Sequence, residues 1–98
     1  MQALLNAIAT MEMPLDAQRV FHGRGGLYPG CEHLSLDAFP PVWVLTSFQP
    51  VSDAELAVVH AALSARWQQL APRQLLNWVY QCRHEGRTET RLMAGSAP

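Results

Sequence analysis

The sequence predicts an α+β fold: a small mixed sheet with one long amphipathic helix packed on one face, plus a short N-terminal helix. Three observations predict it. Residues 42–48 form an apolar, β-branched and aromatic run of strand length. Residues 53–70 repeat apolar side chains at helical spacing. Beyond Pro72, apolar and polar residues alternate in two segments separated by a turn.

The first part of the chain predicts a helix, a strand and a loop. Leu4, Ile8 and Met11 fall on one face of a helix over residues 2–12, which Pro14 ends. Residues 19–22 follow as a short strand, and five glycine or proline residues within positions 23–30 indicate a loop. We therefore predict an N-terminal helical extension over 1–17 and one α+β module over 18–98.

Residues 34–39 fit a further short strand, and Pro40 and Pro41 separate it from the strand at 42–48. Apolar residues occur on both faces of that second run, so we predict a central strand covered on both sides.

The long helix has a defined start and an apolar stripe. Ser52 and Glu55 form a capping box, in which each side chain bonds the backbone amide of the other residue. Apolar residues then recur with helical period, at Leu56, Val59, Leu63, Trp67 and Leu70. The strands before and after this helix can be neighbours in a right-handed βαβ unit, or can be split by another strand.

Two segments close the chain. Alternation predicts a strand over 74–83 and a second, more polar strand over 88–93, with Gly86 in the turn between them. Trp43 and Trp67 fit a core, since such large side chains dominate core energetics. Trp78 and Tyr80 are expected to share a face with Arg83, Arg87 and Arg91. Such a face suits RNA or another domain.

Composition narrows the function classes. Apolar residues make up 49% of the chain, charged residues only 15%, and the net charge is −1. These values argue against disorder and against a strongly cationic body that binds nucleic acid by charge alone. No apolar run approaches the ~20 residues of a membrane span, and no basic start precedes the apolar residues near Met1. We therefore expect a cytoplasmic protein with no membrane partner.

Motifs for a phosphate loop, a metal or a nucleophile are weak. The glycines after His22 match neither GxGxxG nor GxxxxGKS. Two Cys-x-His pairs, at Cys31 and Cys82, do not have the spacing of a zinc finger. A Cys–His pair for catalysis needs a third, orienting group that the sequence does not identify. His60, on the long helix, is interpreted as a partly exposed surface histidine.

One stretch resembles a known family. It reads Arg19-Val20-Phe21-His22-Gly23-Arg24-Gly25-Gly26-Leu27-Tyr28-Pro29-Gly30, followed by Glu32-His33-Leu34 and Asp37-Ala38-Phe39-Pro40-Pro41-Val42. This stretch resembles the N-terminal region of bacterial class I SAM-dependent methyltransferases, similar to those that methylate cytosine in large-subunit ribosomal RNA. The resemblance covers about residues 18–94, and the strand, helix and closing strand pair fit its order.

The resemblance implies an accessory module. In that family the SAM-binding domain follows this region, so we expect no catalytic or cofactor-binding residue in this chain. It implies an RNA-recognition role, with structured RNA and a methyltransferase catalytic domain, in the same or another chain, as partners. The expected contacts are His22, Arg24, Tyr28 and His33, with Arg83, Arg87 and Arg91 as secondary phosphate contacts. The alternative is a protein-interaction or homodimerisation module, and a small independent enzyme ranks third.

Overall fold

The structure is a computed structural model that describes residues 1–23 and 31–95. In those residues it has two helices and five strands, which confirms the predicted α+β class. The elements are α1 (Gln2–Thr10), β1 (Gln18–His22), β2 (Leu34–Phe39), β3 (Val42–Ser47), α2 (Asp53–Leu70), β4 (Trp78–His84) and β5 (Arg87–Ala94).

The five strands form one mixed sheet in the order β1-β2-β3-β4-β5. Neighbouring strands are antiparallel except β3 and β4, which are parallel and joined by α2. The sequence allowed the strands before and after the long helix to be neighbours or to be separated by another strand. In the structure they are neighbours in the sheet. β3 is the middle strand, as predicted, and all six of its residues are buried. The expected cover on both sides is wrong, because both helices lie on one face of the sheet and the other face carries no layer in the described residues.

Both helices pack on the same face of the sheet. Leu4 and Ile8 of α1 join the core formed by α2 and the inward side chains of the strands. From α2 this core takes Leu56, Val59, Leu63 and Trp67. The rings of Trp43 and Trp67 meet edge to face, with their centroids 6.1 Å apart. The core thus lies between the helix layer and one face of the sheet.

The start of α2 is built as the sequence predicts. The Glu55 amide donates to the Ser52 hydroxyl at 3.1 Å, and the Ser52 amide donates to the Glu55 carboxylate at 3.3 Å. At the other end, the Ala71 amide donates to the Trp67 carbonyl. The chain then turns, because the Gln74 amide donates to the Ala71 carbonyl at 3.0 Å. This turn delays β4 to Trp78, four residues later than predicted.

The β4–β5 hairpin closes through a tight turn at Glu85 and Gly86. Their φ angles are 53° and 76°, so both residues are in the left-handed region. A two-residue hairpin turn of this kind matches the twist of its strands, and it favours glycine. At the opposite end of the sheet, Pro40 and Pro41 connect β2 to β3 through a cis peptide bond.

Candidate nucleic-acid interface

The face of the sheet away from the helices, here called the open face, carries two rows of side chains. The register of the strands sets these rows, because paired residues on neighbouring strands point to the same side. The polar row runs across the sheet through His22, Ser35, Thr46, Gln81 and Thr90. The valine row is Arg19, Asp37, Val44, Val79 and Leu92.

A shallow groove of about 440 Å³ lies on the open face. Val44 and Thr46 of the central strand are part of its floor, and Ser35 and Gln81 line it from β2 and β4. Arg83 contributes a cation at the β4 side. Ser35 and Thr46 are buried, so the groove offers mainly the side-chain amide of Gln81 and the guanidinium of Arg83.

Arg19 and Asp37 form the ion pair of this face. The Arg19 Nε donates to Asp37 Oδ1 at 2.8 Å, and a second guanidinium nitrogen lies 3.4 Å from Oδ2. The hydrogen bond to Asp37, and then the charge of that carboxylate, raise the pKa of Arg19 above its ordinary value. Arg19 also reaches the His22 Nδ1 at 3.3 Å. Asp37 thus compensates the positive charge of Arg19 and orients it.

Aromatic side chains lie at two places along the groove. Phe39, at the end of β2, is 50% exposed. Phe48 follows β3 and is partly buried, with its amide donating to the His33 carbonyl at 2.9 Å. Phe39 is therefore the more accessible of the two rings for stacking on a flat ligand.

Arg83 does not lie where the sequence analysis placed it. Along β4, residues 78, 80 and 82 point to the helix face, whereas 79, 81 and 83 point to the open face, because successive strand residues alternate. The expectation that Arg83 shares a face with Trp78 and Tyr80 is therefore wrong. Trp78 and Tyr80 themselves are buried, so they offer no stacking surface.

Arg87 and Arg91 lie on the helix side of the hairpin. With Tyr80, Cys82 and His84 they line a second groove of about 280 Å³ near the start of α2. Arg91 makes an ion pair with Asp53 at 3.1 Å, with both side chains exposed. The seven expected contacts therefore do not form one surface: His22 and Arg83 are on the open face, and Arg87 and Arg91 on the other.

Of the remaining expected contacts, His33 is the one in the described part of the chain. His33 is partly buried, and its Nδ1 is buried without a hydrogen-bond partner in the described part of the chain. Arg24 and Tyr28 lie outside the described residues. Gly23 is buried beside the Cys31 carbonyl, where a Cβ atom would collide. That contact explains the glycine at position 23 by close backbone approach.

Sequence reasoning missed Arg19, Asp37 and Phe39 on the open face. The alternation in β2 carries the signal, because the polar residues Ser35 and Asp37 alternate with apolar residues that join the core. Reading that alternation would have placed Asp37 and Phe39 on the side away from the core. The pairing of Asp37 with Arg19 depends on strand register, which the sequence did not provide.

His60 has a structural contact that the sequence did not predict. The indole N–H of Trp78 donates to His60 Nδ1 at 3.0 Å, and the two rings stack with centroids 6.1 Å apart. The partner lies 18 residues further along the chain, so no local pattern shows it.

Metal ligation and membrane crossing can be judged for residues 1–23 and 31–95. No group of three or more His, Cys, Asp or Glu side chains there is arranged to hold a metal ion. Nor does that part of the chain contain a helix long and apolar enough to cross a membrane.

Fold and site together define a class: a two-layer α+β module with an open mixed sheet. Comparison with protein-family models, curated proteins and solved structures finds no match to this chain.

Proposed function

We propose that this chain is a non-catalytic RNA-recognition module of a SAM-dependent methyltransferase-like protein, and that it binds RNA on its open face. The observation that carries the proposal is the juxtaposition on one face of Arg83, the polar row and the exposed ring of Phe39. Sequence-specific RNA recognition targets unpaired bases in loops and bulges, which such a face can receive. The unpaired segments of a structured RNA are therefore the ligand.

Arg83 is the main phosphate contact in this proposal. It is exposed, lines the groove, and forms no ion pair within the described structure. A guanidinium matches phosphate oxygens geometrically, which favours arginine for this role. Arg19 contributes less, because a phosphate has to compete with Asp37 for it. The phosphate backbone therefore lies nearest β4.

The bases contact the middle and the β2 end of the face. The side-chain amide of half-buried Gln81 can bond a base edge, and Phe39 can stack on one base. His22 lies three strands from β4, about 14 Å across the sheet at normal strand spacing. It therefore contacts a different nucleotide from Arg83.

The resemblance supplies the rest of the proposal. The HGRG, YPG and PPV segments around Arg24, Tyr28 and Pro41 support a place beside a methyltransferase catalytic domain, in the same or another chain. SAM would bind that domain, and this module would present RNA to it in the cytoplasm. The chain itself performs no chemistry in this proposal.

A binding measurement with matched arginine variants tests the proposal. We expect a fluorescein-labelled RNA hairpin with an unpaired loop to bind, and Arg83→Ala to weaken binding about five- to tenfold. The slope of log affinity against log salt should fall by about 0.7 in that variant, the value for one single-strand phosphate contact.

Arg87→Ala is the matched control, since it removes the same charge from the other side of the hairpin. It should bind as the unchanged chain does. If Arg83→Ala and Arg87→Ala weakened binding equally, the ligand would not be on the open face. Absence of binding to any unpaired RNA at low salt would refute the proposed function.

The alternative function is protein interaction, and one observation favours it. At the end of the sheet beside Pro40 and Pro41, Leu15 is 96% exposed and Phe39 is 50% exposed. An apolar groove of about 170 Å³ lies there against Trp67. Exposed apolar surface of this kind is typical of contacts with another protein. A catalytic domain is the partner that the resemblance implies for this end.

A further inference from the structure

We propose that β5 pairs with β5 of a second copy of this chain, in antiparallel orientation and centred on Thr90. The two sheets then form one continuous sheet with a twofold axis. This inference does not depend on RNA binding, because it rests on the edge strand and its charges.

The edge strand has the length and exposure for such pairing. β5 spans eight residues, Arg87–Ala94, and is the last strand in the sheet order. Its only strand partner in the described structure is β4, so the outer edge has unpaired backbone donors and acceptors. Strands usually have about 5–6 residues, and a long regular edge is a template for pairing. The strand contains no proline, and its one register shift lies near the end, between Trp78 and Val79 of β4.

The charges and the length of β5 together select one register: a centre at Thr88 also pairs Arg87 with Glu89 twice, but it overlaps the strand only over residues 87–89. In a twofold antiparallel pair, residues directly opposite each other point to the same face, so the centre must lie on a residue. A centre at Glu89 places two Glu89 carboxylates opposite each other, and a centre at Arg91 places two guanidinium groups together. A centre at Thr90 places Glu89 opposite Arg91 of the second copy, and this occurs twice.

The Thr90 register also pairs residues 87–93, which is all of the strand except Ala94. Thr88 lies opposite Leu92 of the second copy on the open face, and Thr90 lies opposite itself. Leu92 is 53% exposed in the single chain, so this pairing covers part of its surface. Arg91 retains its ion pair with Asp53 in this dimer, since that pair lies at the exposed start of α2. Each Arg91 then lies between Asp53 and a Glu89 from the second copy.

The test uses two charge reversals and their mixture. The unchanged chain should sediment with twice its mass of 10.9 kDa at high concentration and low salt. Glu89→Arg brings two positive charges together at both of these cross-strand pairs, and Arg91→Glu brings two negative charges together there. Each variant alone should dimerise at least about tenfold more weakly, because like charges directly opposite are destabilising.

Mixing the two variants should restore association. In the mixed pair, arginine at positions 89 and 91 of one copy faces glutamate at positions 91 and 89 of the other. An equimolar mixture should therefore form a heterodimer at concentrations where each variant is monomeric. Arg83→Glu is the control on β4, and it should dimerise as the unchanged chain does.

Three outcomes would overturn the proposal. The first is a monomer at all concentrations. The second is a dimer that both reversals leave unchanged, which would place the interface elsewhere. The third is a pair of monomeric variants whose mixture stays monomeric, since the Thr90 register places opposite charges at positions 89 and 91 of the mixed pair and requires it to associate.

Discussion

Trp78 is fully buried beneath α2, yet its indole N–H needs a hydrogen-bond acceptor. His60 Nδ1 supplies it at 3.0 Å. Because an indole nitrogen can only donate, Nδ1 must be the unprotonated nitrogen, which places the ring proton on Nε2. Ser64 Oγ lies 3.4 Å from that nitrogen and is positioned to accept. The exposed histidine thus satisfies a polar atom of the core.

Removing this acceptor should lower stability. We expect His60→Ala to reduce the free energy of unfolding by about 1–3 kcal/mol, because the indole N–H loses its partner in a buried setting. For a domain of this size each kcal/mol shifts Tm by about 4–8 °C. The change in Tm is measured by thermal unfolding, monitored by circular dichroism. Ser64→Ala keeps the Trp78 bond and should change stability by less than about 0.5 kcal/mol. An unchanged Tm in His60→Ala would show that the bond contributes nothing.

At the scale of elements, the hydroxyl of Tyr80 ties together the β3–α2–β4 unit. It lies 2.6 Å from Ser47 Oγ on β3 and accepts from the Val51 amide before α2 at 3.2 Å. Burial raises the pKa of this hydroxyl above its ordinary value. The hydrogen bonds with Ser47 and Val51 act in the opposite direction, and the neighbouring Cys82 thiol adds to the increase.

This raised pKa predicts how stability depends on alkaline pH. Below about pH 10, the ordinary value, Tyr80 holds its proton in both states and its contribution is complete. Above that pH the unfolded chain releases the proton first, so the free energy of unfolding falls as pH rises towards the folded pKa. The chain has no lysine, two tyrosines and two cysteines, so few groups titrate in this range.

Tyr80→Phe should change both the free energy of unfolding at pH 7 and its dependence on alkaline pH. At pH 7 it should lose about 1–3 kcal/mol, because Ser47 Oγ remains buried without its partner. Between about pH 9 and 11, on either side of the ordinary tyrosine value, its free energy of unfolding in urea should fall less steeply than that of the unchanged chain. Equal slopes in the two proteins would contradict a raised pKa at Tyr80.

How far the sequence predicts each element depends on whether its determinants are local. The helix over 53–70 was predicted with its observed bounds, because Ser52, Glu55 and the apolar stripe are all local signals. The start of β4 was misplaced, because the turn at 71–74 is held by hydrogen bonds that the sequence does not display. Parallel pairing of β3 with β4 required the structure, since two connections satisfied the same pattern.

The candidate site was harder to predict, because it depends on which face of the sheet each side chain occupies. Arg83 and Arg87 are close in sequence but lie on opposite sides of the hairpin. Alternation from Trp78 assigns Arg83 to the open face, and the two-residue turn at Glu85 and Gly86 then pairs His84 with Arg87, which puts Arg87 on the other face. Charge alone grouped the two arginines. Arg19 and Asp37 lie on different strands, and only the register brings them to 2.8 Å.

At the scale of the whole molecule, the two faces of the sheet have different roles. One face holds the core and both helices, and the other holds the polar row and the valine row. The net charge is −1, so the molecule as a whole does not attract RNA. Affinity in the proposed function must then come from a few local contacts on the open face, with Arg83 foremost.

The most direct measurement is NMR titration of the side chains with a hairpin RNA whose loop is unpaired. Arginine Nε–H signals report each face separately, since Arg19 and Arg83 are on one and Arg87 and Arg91 on the other. We expect the Arg83 signal and the Gln81 side-chain amide to shift most on binding, with Arg87 and Arg91 unmoved. Shifts at Arg87 and Arg91 with Arg83 unchanged would contradict RNA recognition by the open face.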